Sequence, residues 1–353
     1  MKQLHFFFFV ALCSVLSFSA CKPDKDPQPQ GGAYSNGHFV VCEGSFNNNN
    51  AEITFIDENG SVTEQVFKTV NNRPLGDVLQ SLTIVDSLAF IVVNNSQKIE
   101  VVNSGTFKSK KTLNDERFTF PRYIQKLNDN QILLTNGTGY GDDAVFVINS
   151  KTFEIEQTIA TGAGPNQMIV HNGKIFVANF GGYTNDSTVT VINAGTLSVE
   201  RTITVGDMPA GMILDKDGNI LILCKGLTTY DAEWNETPVS NSKIVKLNTT
   251  TLVAKDMYQY DRQIKNFSSN LISYANNTLY VLDDDAVYSF GSDFGAPQKI
   301  VDGGFYGISI IGTDMWLCDS NPTAPRVVQY SLSGAKIAEY TTAPFPNAVV
   351  ESK

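Results

Sequence analysis

A short phrase ending in a hydrophobic residue recurs along the chain, and its spacing is the strongest constraint on the fold. It ends at Leu82 (LQSL), Ile124 (PRYI), Met168 (PNQM), Met212 (PAGM), Leu271 (SSNL), Ile308 (FYGI) and Val349 (PNAV), at intervals of 42, 44, 44, 59, 37 and 41 residues. A second apolar run follows six of these copies: AFIVVN, QILLTN, KIFVAN, ILILCK, TLYVLD and MWLCDS, with a seventh, HFVVCE, near the start. A third run ends in FID, VVN, VIN, VIN or KLN, often entering a turn such as NSGTF, NSKTF, NAGTL or NTTTL, and a fourth follows, as in SVERTITVG. The runs are short, β-branched and aromatic, and Gly, Asn, Asp and Pro separate them, as strands require. Helical solenoids of this period would carry 3.6-residue apolar stripes, and the chain shows none. Four strands in each unit of about 40–45 residues predict an all-β, seven-bladed β-propeller of four-stranded antiparallel blades.

The unit containing HFVVCE has no first strand ahead of it, and PNAVV has no second strand after it. Residues 346–350 are therefore expected to form the innermost strand of the N-terminal blade, closing the ring and removing an open edge. The propeller is expected to span 38–353.

Ahead of it, Lys2 precedes an apolar run from Phe6 to Val15, then small residues before Cys21. A charged start with a short apolar core reads as a signal peptide over residues 1–20, too short for a membrane span. Ser19-Ala20-Cys21 resembles the lipobox of bacterial lipoproteins, with Phe18 where leucine is commoner; the resemblance implies lipidation of Cys21. Residues 21–37, Cys21 followed by KPDKDPQPQGGAYSNG, are rich in Pro, Gly and charge and are expected to form a flexible tether.

The chain is acidic, with 26 Lys and Arg against 36 Asp and Glu, a formal net charge of −10. Loss of residues 1–20 removes one positive charge, Lys2, and gives −11. Without basic clusters, this argues against nucleic acid and against electrostatic docking on anionic lipid. Only Cys42, Cys224 and Cys318 follow Cys21, an odd number without the close spacing of a disulfide framework or zinc site. They share one repeat position with Val93, Thr135, Ala178 and Leu282, which predicts buried, unreactive thiols.

No catalytic constellation is apparent. Beyond the leader only His38 and His171 remain; neither has metal-ligand spacing, and no H-E-x-x-H or G-x-S-x-G motif occurs. The chain is therefore expected to be non-enzymatic, with no metal and no resident cofactor. The acidic turns DDDA (283–286) and YGDDA (140–144) read either as calcium-attracting oxygen clusters or as solvated turns, and neither has a known calcium-loop spacing. One polar residue per blade follows the second strand: Glu43, Asn94, Asn136, Asn179, Lys225, Asp283 and Asp319. Such a ring either caps strands or contacts a ligand.

The loops between second and third strands differ most among units, and they share a face with the recurrent phrases. That face gathers Phe46, Tyr140, Phe180, Tyr183, Tyr230 and Trp234 beside amides. The candidate ligand-binding set is Phe46, Asn48, Gln80, Arg122, Tyr140, Asn166, Gln167, Tyr183, Trp234, Asn270 and Tyr306. The long Trp234 loop is expected to reach over this face. Aromatic area beside amides suits flat, amphipathic, hydrogen-bonding ligands.

The phrases P-x-x-hydrophobic, IFVAN and VINxxT resemble those of the YncE-like seven-bladed propellers over roughly residues 38–350. With the lipobox and tether, the chain resembles the BtuG family of cobalamin-binding surface lipoproteins. The resemblance implies a lipid-anchored protein at the outer-membrane cell surface, which binds a corrinoid (vitamin B12) as transported ligand and passes it to a TonB-dependent transporter. The DKD of the tether is similar to the acidic residues that accompany surface export. Two other readings stay open: a propeller that binds protein or glycan, and an enzyme of the lactonase type, which shares this architecture.

Overall fold

The computed structural model describes residues 32–352. The signal peptide, Cys21 and most of the expected tether lie outside the described residues. Seven four-stranded antiparallel sheets make up the fold, with one small accessory hairpin. Six of the sheets run in simple sequence order, and their first strands are Leu79–Val85, Pro121–Lys126, Pro165–His171, Pro209–Leu214, Ile272–Ala275 and Gly307–Ile311. The seventh takes its inner strand, Pro346–Glu351, from the far end of the chain, and that strand pairs with Gly37–Cys42, Phe39 opposite Val350. Inner strands touch their neighbours all the way round, so the sheets form a closed seven-bladed ring. The expected clasp is present.

The repeated turn after each third strand has a physical basis. Asn103, Asn149, Asn193 and Asn248 each turn a side-chain oxygen back to accept from the amide of the residue three ahead, at 2.7–3.0 Å. The next residue, Phe107, Phe153, Leu197 or Leu252, then takes φ between 56 and 62°. Its amide donates to the same asparagine's carbonyl. A left-handed conformation at a bulky residue costs about 1 kcal/mol or more. Phe107 offsets that cost by full burial between the first two blades. The NxxT(F/L) phrase thus encodes an Asx turn with an apolar plug.

A second device shapes the inner edge. The register between first and second strands slips at Pro121–Ile124, Pro165–Met168, Pro209–Gly211 and Leu79–Ser81. At three of the four the break falls at a proline, which cannot donate to the ladder; at Leu79 the same bulge forms without one, and in each case the slip re-aims the following side chains. The residues so released are Gln80, Arg122-Tyr123 and Asn166-Gln167. The recurrent phrase is therefore a means of pointing polar side chains toward the ring axis.

Three expectations need correction. The boundary of the domain lies before His38, because Tyr34 packs edge-on against Phe55, with ring centroids 5.2 Å apart, and its amide donates to the Gly105 carbonyl. Residues 32–37 thus belong to the fold and not to the tether. A helix, Val66–Asn71, appears where no helical stripe was visible. It is only six residues long, too short for periodicity to show, and its first amides donate to the buried Glu52 carboxylate. The phrase SSNL does not form strand; it precedes Ile272–Ala275. There Asn266 accepts from the Ser268 amide and Ser268 from the Asn270 amide, so side chains hold the segment in turns in place of a ladder.

Candidate functional site: an axial funnel on the loop face

The bulged phrases and the loops preceding them converge on a funnel of about 230 Å³ at one end of the axis. Its wall includes Glu43 and Phe46 from the N-terminal blade, Gln80 and Asn94 from the next, and Phe120 and Arg122 from the third. Tyr183, Phe267, Asn270 and Tyr306 complete it. Six of the eleven expected ligand-binding residues are thus brought together: Phe46, Gln80, Arg122, Tyr183, Asn270 and Tyr306.

Asn166 and Gln167 lie in the floor, where they act as brackets. Asn166 Oδ1 accepts from Arg122 Nε at 2.9 Å, while its Nδ2 donates to Ser269 Oγ and to the Ala210 carbonyl. Gln167 Nε2 donates to the Ser269 carbonyl and to Asn270 Oδ1, and its Oε1 accepts from the Met212 amide. Asn270 in turn donates to the Asn347 carbonyl, and Asn347 Nδ2 to Glu43 Oε1 at 2.8 Å. Tyr306 donates its hydroxyl to the other Glu43 oxygen at 3.2 Å. This chain of bonds ties six blades together across the axis. It also spends the hydrogen-bonding capacity of Asn166 on the protein itself.

An aromatic ladder descends one wall. Exposed Tyr140 stacks on Tyr183 at 6.5 Å, Tyr183 lies 5.1 Å from Phe120, and the Arg122 guanidinium sits 5.1 Å above the Phe120 ring. Two glycines allow this arrangement. Gly164 and Gly182 have φ of 56 and 62°, and a Cβ on Gly164 would come within 1.9 Å of the Gly182 amide. The close approach lets the Phe180–Tyr183 loop hydrogen-bond back to Ala163 and Gly164, while the Tyr183 amide donates to the Thr138 carbonyl. Tyr183 is thereby fixed at the rim beside the loop that carries Tyr140, yet its side chain is 64% exposed.

The funnel's charges are unusual for an acidic protein. Arg122 makes one hydrogen bond, through Nε, and pairs with no carboxylate among the described residues. Burial holds its guanidinium below the usual value. Burial likewise raises the Glu43 carboxyl, against the lowering effect of its Asn347 and Tyr306 hydrogen bonds. Outside the funnel lining, Lys225, whose amine donates to the Asn266 carbonyl and lies about 6 Å from the Phe180 and Phe267 rings, is pushed down to about 8 by burial.

The remaining candidates fall elsewhere. Asn48 is exposed and folds back onto the Phe46 carbonyl of its own loop. Trp234 tips the accessory hairpin of Thr228–Tyr230 and Glu236–Pro238, is 80% exposed, and meets only Tyr230 among aromatic rings. It does not line the funnel, contrary to expectation, because the hairpin closes on itself. Phe120 and Phe267 were missed. Phe120 immediately precedes a phrase, as Phe345 also does, so the F-P pair was a legible signal. Phe267, 89% exposed, stands on the partition between the funnel and a shallower recess of about 600 Å³.

The other sequence candidates resolve as structural. Arg262 pairs with Asp283 at 2.8 Å and reaches Asp284 and Asp285, so the DDD turn neutralises a guanidinium. Asp142 and Asp143 accept from Thr138, Gly139, Gly141 and Gly164. Among the described residues, no group of three or more His, Cys, Asp or Glu side chains could hold a metal ion. Most of the polar ring staples backbone: Asn94 donates to the Pro121 carbonyl, Asn136 to that of Arg117. Cys42, Cys224 and Cys318 are wholly buried and unpaired. Burial raises Cys42 and Cys224 to about 12 and Cys318 well above its usual value.

The fold has many solved counterparts. A quinonprotein alcohol dehydrogenase-like protein from Bacteroides thetaiotaomicron matches with a TM-score of 0.66 at 15% identity, over 91% of this chain and 79% of that one. A functionally unknown protein from Desulfotomaculum acetoxidans matches with a TM-score of 0.64 at 12% identity, over 90% and 99%. BamB from Moraxella catarrhalis matches with a TM-score of 0.52 at 13% identity, over 89% and 85%. At such identities the likeness is one of fold alone. No curated protein matches the chain. A family model does, over residues 36–308, well over half of the sequence, and the chain belongs to that family, described as a domain of unknown function, DUF5074.

Proposed function

We propose that the protein is a non-enzymatic binding propeller that captures a broad, flat, amide-bearing small molecule on its loop face, and that this molecule is a corrinoid. The observation that carries the reading is the ladder Tyr140–Tyr183–Phe120, which runs from the rim into a funnel edged by Gln80 and Asn270. Exposed rings supply rigid apolar area, and side-chain amides match the amide fringe of a corrin disc. Ligand pockets commonly measure about 300–1,000 Å³. At about 230 Å³ the funnel is too small for a whole corrinoid, so the disc lies across the rim and only a peripheral group enters. In this reading the protein is lipid-anchored through Cys21 at the outer-membrane surface, as the resemblance to the YncE-like and BtuG families implies, and hands its cargo to a TonB-dependent transporter.

Calorimetric titration of the protein with cyanocobalamin and then cobinamide tests it. Saturable heat with both ligands, weakened at least tenfold in Tyr183→Ala, is the expected result. Flat heat with a folded protein overturns the corrinoid reading. A propeller that binds protein or glycan then becomes the better account, and the exposed Phe46, Phe267 and Trp234 would be its contacts.

A further inference from the structure

The funnel contains a charge the fold does not use. Arg122 is carried into the axis by the bulge at Pro121, and Asn166 holds it through Nε alone, at 2.9 Å. Its Nη groups donate to no protein acceptor among the described residues, and they are not among the buried polar atoms sealed away without a partner, so they open onto the cavity. Three buried carboxylates elsewhere are each paired with a cation. Glu100 takes Arg73 and Lys98 together, Asp215 takes Lys246, and Asp283 takes Arg262. The nearest carboxylate to hand in the funnel, Glu43, is instead engaged by Asn347 and Tyr306. A guanidinium whose fork is left open is a recognition element, because that geometry matches two oxygens of one acid group.

We infer that the base of the funnel is an oxyanion subsite in which Arg122 takes a singly charged carboxylate or phosphodiester of the ligand, with Phe120 and Tyr183 flanking it. Nε is fixed by Asn166 and the guanidinium plane rests on Phe120, so the fork is oriented before the ligand arrives. Preorganisation of this kind lowers the ordering cost of binding. Glu43 borders the same cavity and disfavours a second negative charge, which selects monoanions over dianions. The small volume admits the acid group and little more, in keeping with a larger ligand body resting on the rim. The inference rests on the loop face being a small-molecule site; it does not require that molecule to be a corrinoid.

The test is an NMR titration of the arginine Nε–Hε resonances of the purified protein, with the Arg122 signal identified by its loss in Arg122→Lys. Benzoate and dimethyl phosphate are the probes, and sodium chloride at matched ionic strength is the control. The Arg122 resonance should shift saturably with benzoate, with dimethyl phosphate or with both, and not with chloride. Benzoate alone marks a carboxylate source; dimethyl phosphate alone marks a phosphodiester. Glu43→Gln removes the opposing charge while keeping an acceptor, and should tighten binding roughly threefold to tenfold. This variant keeps the test intact if Arg122 substitutions disturb the floor. No shift with either probe, in wild type and in Glu43→Gln alike, overturns the subsite. A flat corrinoid titration with a saturable probe shift discards the corrinoid and keeps the subsite, and the reverse pattern discards the subsite and keeps the corrinoid.

Discussion

Asn166 was expected to touch ligand, and the structure gives it a different task that mutation can weigh. Asn166→Ala removes three bonds: the acceptor for Arg122 Nε and the donors to Ser269 Oγ and the Ala210 carbonyl. A hydrogen bond to a charged group is worth about 1.5–3 kcal/mol and a neutral one about 1 kcal/mol. Arg122 borders the funnel and can turn to water, which softens its share of the loss. Ala210 is wholly buried and has no such recourse, and Ser269, although it too borders the funnel, is only 5% exposed. The net cost is therefore about 3 kcal/mol, from two stranded buried groups and a weakened third. Unfolding entropy of about 2.1 cal/mol/K per residue, over a domain of this size, gives roughly 0.7 kcal/mol/K, so Tm should fall by about 4–5 °C. Differential scanning calorimetry measures this directly. Asn48→Ala is the control, because its one side-chain bond is exposed and its loss should move Tm by less than about 1 °C. An Asn166→Ala Tm within 1 °C of wild type would refute the view that the floor is a structural bracket across the blades.

Two further outcomes follow from the buried titratable groups. Cys42, Cys224 and Cys318 should resist iodoacetamide at pH 8 in the folded protein and alkylate fully once guanidinium unfolds it, because Cys42 and Cys224 titrate near 12 and Cys318 is raised as well; mass spectrometry that finds any of the three modified in the native protein would contradict their burial. Burial raises the Glu43 carboxyl above its ordinary value of 4.5, so the folded state holds that proton more tightly than the unfolded chain and stability declines as pH rises from 4.5 through the folded value. The wild-type Tm minus that of Glu43→Gln should accordingly fall as pH rises above 4.5, whereas a pH-independent difference would exclude an ionising Glu43 in the funnel.

The architecture was legible because it is written seven times. Any single copy of the phrase is ambiguous, but the interval between copies allows only a stack or ring of four-stranded units, and the unpaired half-blades at 38–42 and 346–350 specify how the ring closes. The accessory helix left no trace, since Val66–Asn71 is held by the distant carboxylate of Glu52 and not by its own periodicity. The site was legible in its address and not in its detail. Register placed Gln80, Arg122, Asn270 and Tyr306 on one face, and the structure brings them into one cavity. Register could not distinguish Asn166, whose polar atoms are consumed within the floor, from Arg122, whose Nη groups are left over. That distinction depends on which neighbour lies within 3 Å, and the neighbours come from units about 40 to 100 residues away. Trp234 was misplaced for a related reason: the length of an insertion is visible in sequence, but its tendency to pair with itself through Thr228–Tyr230 and Glu236–Pro238 is not.

The clasp has a consequence for how the protein is made. Gly37–Cys42 belongs to the N-terminal blade, yet both its inner ladder partner Pro346–Glu351 and the serine that caps it, Ser352, lie some 300 residues further along the chain. Until those are made the nascent chain carries an unsatisfied strand edge at its head, the sort of edge that recruits wrong partners. A polypeptide interrupted between Thr341 and Pro346 could assemble six complete blades and still fail to seal the ring. Closure of the circle is thereby a late event of folding, and a chain that stops short of it keeps a strand edge it cannot cover.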